Sequence, residues 1–536
     1  MSFTRSVSVS FAAALCLSTA LVMGGCSSKD EGPSATKSSP ANPLGLKGPS
    51  EKTFAKHFAV PKRKVSDAEA QEALALLSLG ESSTSGLSWD KTSGSDGNYS
   101  YSGLVVKDGS NSLNIKSANL IGVHMDGETA SFDRADFSGI TVLDTEENVT
   151  VTMDSFSVAR PSPAMARSII EGLSNIKKID DLDLDIDDED MSFGAIGMSG
   201  VAMNSPEINL TAKTMMWGED ETTELSDFKI EDVNFEGTGE QGGAFSGRLG
   251  NLSAVGMNAK AFGDMNKKMR GSMGSPMGAM GSFNPLAKVY DTMAMDDFSF
   301  DSDFVSVEAK GFEGKATEKG GVTTIRQVSE PFVIKLKDDP KDASAKRAFD
   351  TIRSLEFDEL VFQSSQTTVL DANKDTVELK DGLFTMKDGF KLSYNYGATG
   401  VKAMTDQMAA MGNSGSGQQM SAAMEMLKLN GMQLRLEDDS IVDRSLKLAA
   451  EMRGGTPESI RRELKVALTM APLMAGGGAE GEMLAELAGA FGDFVQNGGT
   501  LSIVMDPKSP IAMSDLANVK GGGTSVADLG FSAKAE

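Results

Sequence analysis

The chain is long, acidic and almost free of cysteine and histidine. It has 536 residues, a formal charge of −25, two cysteines and two histidines. The length allows two to four domains or one elongated body. The negative charge argues against nucleic acid as a partner and against binding flat on anionic lipid. Cys16 lies in the N-terminal apolar segment. If that segment is cleaved off, Cys26 is the one cysteine left, which excludes disulfides within the chain and metal sites built from several thiolates.

Residues 1–25 have the pattern of an export signal. Arg5 supplies positive charge, and the apolar segment at 11–22 is shorter than the roughly 20 residues that span a bilayer. Gly24 and Gly25 are the small residues expected before a cleavage site, and Cys26 follows them directly. This arrangement resembles the lipobox of bacterial lipoproteins.

That resemblance implies cleavage before Cys26 and acylation of its thiol and amino group. Each buried methylene contributes about 0.8 kcal/mol, so several acyl chains hold a protein firmly in a membrane. Ser27 and Ser28 follow Cys26, with no aspartate. By resemblance to the sorting rules of enterobacterial lipoproteins, this favours the outer membrane. The alternative is an ordinary cleaved signal followed by a chance cysteine. We therefore expect an exported, lipid-anchored protein of the bacterial cell envelope.

The body after the signal alternates between strand-like and helical segments. Pro, Ser and Gly at 27–50 predict a flexible tether. Ser66 and Glu69 predict a capped helix that ends at Gly80. From residue 98 onward, short alternating strands are separated by Asp-Gly pairs typical of hairpin turns. We predict such turns at Asp108-Gly109, Asp126-Gly127, Asp381-Gly382 and Asp388-Gly389.

The recurrence of strands and helical insertions predicts a mainly β fold with helical insertions (α+β). We expect an elongated, quasi-repetitive antiparallel sheet or β-groove with a helical C-terminal part. The predicted regions are a signal peptide at 1–25, lipidated Cys26 with a disordered tether at 26–64, a helix and β-structure at 65–262, a Met/Gly-rich insertion at 263–294, β-structure at 295–397, a Met-rich helical insertion at 398–428, and a mainly helical C-terminal region with strands at 429–536.

The C-terminal part carries a second resemblance. Residues 434–451, a helix that begins with Thr456-Pro457, and residues 499–503 resemble the C-terminal portion of envelope proteins of the AsmA and YdgA class, which have long β-groove bodies. The resemblance implies that a lipid is held or passed along an apolar groove. It carries no site residues.

Two groups of methionines repeat at helical spacing, so each group would form one stripe on a helix. Thioethers suit Cu(I), but no histidine or cysteine accompanies either stripe. Methionine also fills irregular apolar surfaces and contacts varied partners, so we favour packing or contact with a hydrophobic ligand. The candidate ligand-contact residues are Met265, Met269, Met273, Met277, Met404, Met408 and Met411.

Motifs for catalysis and metal binding are weak. The acidic segment at 180–190 lacks the glycine and terminal glutamate of a calcium loop. Ser226 and Lys229 match SxxK within an alternating strand, and His57 and His124 have the setting of ordinary surface or sheet residues. We therefore predict no enzyme, metal or cofactor.

Two functions fit these features of the sequence. One is a lipoprotein that binds lipid or another hydrophobic ligand on a β-groove. The other is a non-catalytic scaffold or surface interaction protein with an envelope protein as its partner. In both cases the membrane is reached through the N-terminal lipid, and nucleic acid is not a partner.

Overall fold

A computed structural model gives the fold. It describes residues 44–80, 86–174, 192–220, 222–239, 243–258, 288–337, 343–357, 359–411, 417–475, 479–513, 515 and 526–536. The predicted signal, Cys26, the acidic segment at 180–190 and the first methionine stripe lie outside these residues. The described chain divides into two units. The first unit contains Lys47–Met257 and Met293–Asp303, and the second contains residues 44–46, Asn258–Thr292 and Phe304–Glu536.

The first unit is an antiparallel meander in which most strands pair with the next strand in sequence. The order β1-β2-β3-β6-β7-β8-β9-β10 follows from the paired residues, while β4 and β5 form a separate hairpin. The strands are β1 Lys91–Ser95, β2 Asn98–Asp108, β3 Asn111–Ile121, β4 His124–Asp126, β5 Thr129–Ser131, β6 Arg134–Asp144, β7 Val149–Ala159, β8 Ala195–Asn204, β9 Ile208–Asp220, β10 Leu225–Thr238, β11 Ala244–Asn258 and β12 Thr292–Ser302.

Two helices, α2 (Asp67–Leu76) and α3 (Pro163–Ser174), bury one end of this sheet. Apolar side chains from both helices join a core with residues of β2, β3, β6 and β7. Ser66 caps α2 as predicted, because its hydroxyl accepts the Glu69 N–H at 3.3 Å. The Glu69 carboxylate does not complete a capping box but accepts the Met125 N–H at 3.4 Å.

A row of residues with left-handed backbone bends the first sheet. Gly103, Gly139, Gly200 and Asp232 lie on β2, β6, β8 and β10 at matching register, with φ between 49° and 65°. An added Cβ at Gly139 would approach the Lys116 side chain to 2.9 Å. At this bend row the strand alternation shifts by one residue, as in a β-bulge. Even-numbered and odd-numbered positions of one strand can therefore face the same core.

Helix α1 (Glu51–His57) is fixed to the first sheet by a histidine–carboxylate pair. His57 Nε2 lies 2.9 Å from Asp227 Oδ2, and the His57 side chain is 11% exposed. Asp227 Oδ1 also accepts the Gly256 N–H at 3.0 Å. His57 is thus a partly buried contact between α1 and the sheet, and the pair joins positions 170 residues apart.

The second unit is also an antiparallel meander. Its strand order is β13-β14-β15-β16-β17-β18-β19-β21, and β20 pairs with the beginning of β18. The strands are β13 Val305–Lys319, β14 Val322–Leu336, β15 Glu359–Asp371, β16 Thr376–Met386, β17 Phe390–Thr399, β18 Lys428–Asp438, β19 Thr500–Met505, β20 Ile511–Ala512 and β21 Phe531–Ala535.

Helices cover two parts of the second sheet. Val401 of α5 (Val401–Met411) packs on Leu370 and Val377. Phe494 and Ala490 of α9 (Ala479–Asn497) pack on the strands at the C-terminal end. The described helices contain none with the length and apolar character of a membrane span. The described helices of the second unit are α4 Ala343–Ser354, α5 Val401–Met411, α6 Gly417–Met426, α7 Ile441–Arg453, α8 Pro457–Ala475, α9 Ala479–Asn497 and α10 Val526–Leu529.

Residues 44–46 form a strap held by a buried carboxylate. Glu313 is 1% exposed, and its two carboxylate oxygens accept the N–H groups of Leu44 and Leu46, the latter at 3.0 Å. Nearby Glu330 is also buried, and burial raises its pKa; Lys310 opposes this rise and Glu313 adds to it. Residues 44–64, assigned to the tether from the sequence, therefore include this strap and α1.

The predicted fold class, mainly β with antiparallel strands and helical insertions, is confirmed. Hairpin turns occur at three of the predicted Asp-Gly pairs: 108–109, 126–127 and 388–389. The turn predicted at Asp381-Gly382 is wrong. Asp381, with φ of 57°, instead lies in a bulge inside β16, because an extra residue there is accommodated by left-handed backbone.

Candidate functional site

The first unit presents rows of apolar residues that run across the strands, which we call the first apolar face. Directly paired residues share one side of a sheet, so each row lies on a single face. All three rows start in the core under α2 and α3. From β3 to β10 the rows are Leu120-Ala135-Val158-Ile196-Trp217-Phe228, Ala118-Phe137-Phe156-Met198-Met215-Ile230 and Leu113-Val142-Val151-Met203-Leu210-Phe235.

These rows change from buried to partly exposed along the sheet. Leu120 and Phe137 are at most 2% exposed, whereas Met198, Met215 and Trp217 on β8 and β9 are partly exposed. Trp217 stacks on Phe228 of β10 with ring centroids 6.1 Å apart. The far end of the first apolar face thus offers aromatic and thioether groups to a contact beyond the sheet itself.

On the opposite side of the sheet, Met216 packs with Phe54 and Phe58 near helix α1. A polar area follows on β9–β12. A shallow cavity of about 390 Å³ there is lined by residues that include Asn209, Glu236 and Arg248. Asn209 Nδ2 donates to Glu236 at 3.2 Å, and Arg248 lies 3.6 Å from Asp232. Because these groups already pair with one another, this area has the character of the solvated face of an antiparallel sheet.

The second unit repeats the arrangement on its own sheet, which we call the second apolar face. Leu501, Met505 and Ala533 are buried at the helical end. Their rows continue to β16–β18, where the side chains are partly exposed and Tyr396 reaches 40% exposure. The rows are Phe384-Leu392-Leu436-Leu501, Tyr394-Leu434-Ile503-Ala533 and Tyr396-Met432-Met505-Phe531.

Aromatic rings extend the second apolar face towards β14. Phe332, Phe362 and Met386 are paired in one row. Phe362 stacks on Phe384 with ring centroids 5.6 Å apart, and Phe384 lies 5.9 Å from Phe390. The same surface therefore combines flat rings with flexible thioethers, a composition that accommodates apolar ligands of varied shape.

The predicted ligand-contact methionines are only partly placed by the structure. Met265, Met269, Met273 and Met277 lie outside the described residues. Met404 is 5% exposed in α5 and so belongs to packed structure. Met408 and Met411 lie in the same helix, but their side chains are outside the description.

The sequence did not single out the methionines of the sheet. Met198 and Met215 are paired across β8 and β9, and Met432 and Met505 across β18 and β19. The signal available was their regular alternation with polar residues. It could not reveal which strands place these side chains on one face.

The described residues lack the arrangements that the weak chemical motifs would need. Ser226 is fully buried, and Lys229 forms an ion pair of 2.6 Å with Glu231. His124 Nδ1 lies 2.7 Å from the Gly122 carbonyl oxygen within its own loop. Within the same residues, His, Cys, Asp and Glu side chains form no group of three or more suited to a metal ion.

Comparison with known proteins gives a partial match only. A family model described as "Uncharacterized protein" matches residues 383–536, which include the C-terminal strands and helices α7–α9. No curated protein matches the chain.

Proposed function

We propose that the chain is a lipid-anchored lipoprotein of the bacterial cell envelope, positioned at the outer membrane, that binds a lipid or another hydrophobic ligand on its apolar sheet faces. The anchor rests on the lipobox-like residues before Cys26. The binding function is supported by one observation above all. In both units, apolar rows continue from a helix-covered core onto strands whose side chains are partly exposed.

The dimensions of the first apolar face fit an acyl chain. Its partly exposed part extends from β7 to β10, which corresponds to about 14 Å at the usual spacing between strands. One leaflet of a bilayer contributes about 15 Å of the roughly 30 Å hydrocarbon core. An acyl chain lying across the strands would therefore contact the whole exposed part of each row.

Single charged substitutions test this proposal in the full chain carrying Cys26→Ser, which removes the competing acyl chains of the anchor. Met215→Glu would place a carboxylate against the ligand, so we expect at least about tenfold weaker binding of a fluorescent acyl probe. Thr211→Glu is the matched control, because Thr211 is exposed on the polar side of β9.

In the second unit, Leu392→Glu on the apolar face and Lys391→Glu on the exposed side of β17 form the equivalent pair. Native mass spectrometry of the purified chain should show a co-purifying lipid. An empty chain that also fails to bind the acyl probe would contradict the lipid-binding proposal. The scaffold function would then be pursued by searching for a protein partner.

A further inference from the structure

A small polar cluster interrupts the second apolar face. Gly314, Gln327 and Gln366 are directly paired across β13, β14 and β15. The neighbouring row on the same face is Phe312-Ser329-Ser364-Phe384, in which the two buried serine hydroxyls bond to each other at 2.9 Å. Polar side chains in such a row cost free energy unless they have hydrogen-bond partners. The hydrogen bonds within the cluster therefore decide whether these side chains are stable on this face.

Tyr290 closes the cluster above Gly314. An added Cβ at Gly314 would lie 2.6 Å from the Tyr290 hydroxyl, so only glycine leaves room for the ring. Gln327 Nε2 donates to that hydroxyl at 3.1 Å, and Gln366 Nε2 donates to Gln327 Oε1 at 2.7 Å. Burial raises the pKa of Tyr290 to about 12, so the ring stays neutral at physiological pH.

One polar atom of these three side chains has no hydrogen-bond partner within the described part of the chain. Gln366 is 8% exposed, and its Oε1 has no hydrogen-bond partner among the described residues. A buried amide oxygen without a donor costs roughly 1–3 kcal/mol. Gln327 and Tyr290 are partly exposed, so the cluster borders the surface although Gln366 Oε1 itself is buried. Buried atoms of this kind mark positions where water or a ligand supplies the missing group.

We infer that Gln366, Gln327 and Tyr290 form a subsite for the uncharged head group of an amphiphile whose acyl chain lies on the second apolar face. This inference rests on the proposed lipid-binding function and names the ligand class. The head group must carry a hydrogen-bond donor, as a hydroxyl or an amide does. Either group also contains an acceptor, so it fits the Gln366 amide in both of its orientations.

A charged head group fits this subsite poorly. The three side chains carry no formal charge, and a buried carboxylate or ammonium needs an opposite charge or a dense set of hydrogen bonds. A neutral ester lacks the donor that Gln366 Oε1 requires. The geometry thus separates three acyl ligands that differ only in the head: a monoacylglycerol, a methyl ester and a free fatty acid.

The test measures the affinity of the full Cys26→Ser chain for 1-monopalmitoylglycerol, methyl palmitate and palmitate by competition with a fluorescent acyl probe. We expect 1-monopalmitoylglycerol to bind about five- to tenfold tighter than methyl palmitate, the effect of one buried hydrogen bond. Gln366→Leu should abolish this preference and change methyl palmitate affinity by no more than about twofold. Gln363→Leu, on the same strand but exposed, should preserve the preference.

Thermal unfolding of each variant shows whether it folds, and Gln366→Met replaces Gln366→Leu if the leucine variant does not. Equal affinities of the wild-type chain for the three ligands would overturn the head-group subsite and leave lipid binding standing. If Gln366→Leu still prefers 1-monopalmitoylglycerol over methyl palmitate, the head-group subsite is likewise overturned and lipid binding stands. Failure of all three ligands to compete, with no binding of the acyl probe, would instead overturn the proposed function.

Discussion

Replacing Glu313 by alanine should release the strap at residues 44–46. Each charge-assisted hydrogen bond to a backbone N–H contributes about 1.5–3 kcal/mol, and Glu313 accepts two. At the low end of that range the pair stabilises the strap by about 3 kcal/mol. Since 1.4 kcal/mol corresponds to a factor of ten, the open population of the strap should rise about 100-fold.

Trypsin cleavage after Lys47 reports this opening, because Lys47 is an exposed residue directly after the strap. When reclosing is faster than cleavage, the cleavage rate follows the open population. Mass spectrometry should therefore detect the cut after Lys47 about 100 times faster in Glu313→Ala. Glu318→Ala, an exposed glutamate on the same strand, is the control. Equal rates in both variants and the wild type would refute the carboxylate clamp.

Three further substitutions test the packing of buried groups. Glu330→Gln should flatten the pH dependence of the free energy of unfolding. Because the folded state raises the pKa of Glu330, its protonated form stabilises the fold below the unfolded pKa of 4.5, and this stabilisation is lost as pH rises through the folded pKa. Urea titrations of the variant and the wild type at pH 4 and pH 8 measure the difference. His57→Ala should lower the free energy of unfolding by about 1.5–3 kcal/mol, and by much less when Asp227 is already alanine. Gly382→Ala should lower the melting temperature, because its Cβ would lie 1.8 Å from the Tyr394 carbonyl oxygen; an unchanged temperature would contradict the close approach.

Local features of the fold could be predicted because each depends on a few adjacent residues. The alternation at Ser112–Lys116 forms part of β3, and Ser66 caps α2. Asp-Gly pairs turn the chain where left-handed backbone is needed between strands. The same preference misled the prediction at Asp381, since a left-handed residue also fits a bulge inside a strand. Sequence alone does not distinguish the two settings.

The candidate site could not be predicted because it depends on register between strands. In β10, Ile230 and Val233 belong to the apolar side on either side of the bend at Asp232, so simple alternation fails there. Gln366 meets Gln327 only through the pairing of β14 with β15. The methionine stripes could be proposed from the sequence because the period of a helix is local. Predicting that the methionines of the sheet share one face would have required knowing which strands are neighbours.

The meander topology sets an order in which the chain can fold. Most strands pair with the strand that precedes them, so successive hairpins can form as the chain emerges, without waiting for distant segments. Helix α1 is an exception, because its His57 contact is with Asp227 on β10. Because Phe54 and Phe58 also pack with Ala159, Ala195 and Met216, docking of α1 is complete only when β7 to β10 have all formed. Docking of α1 would then be a late event in the folding of the first unit.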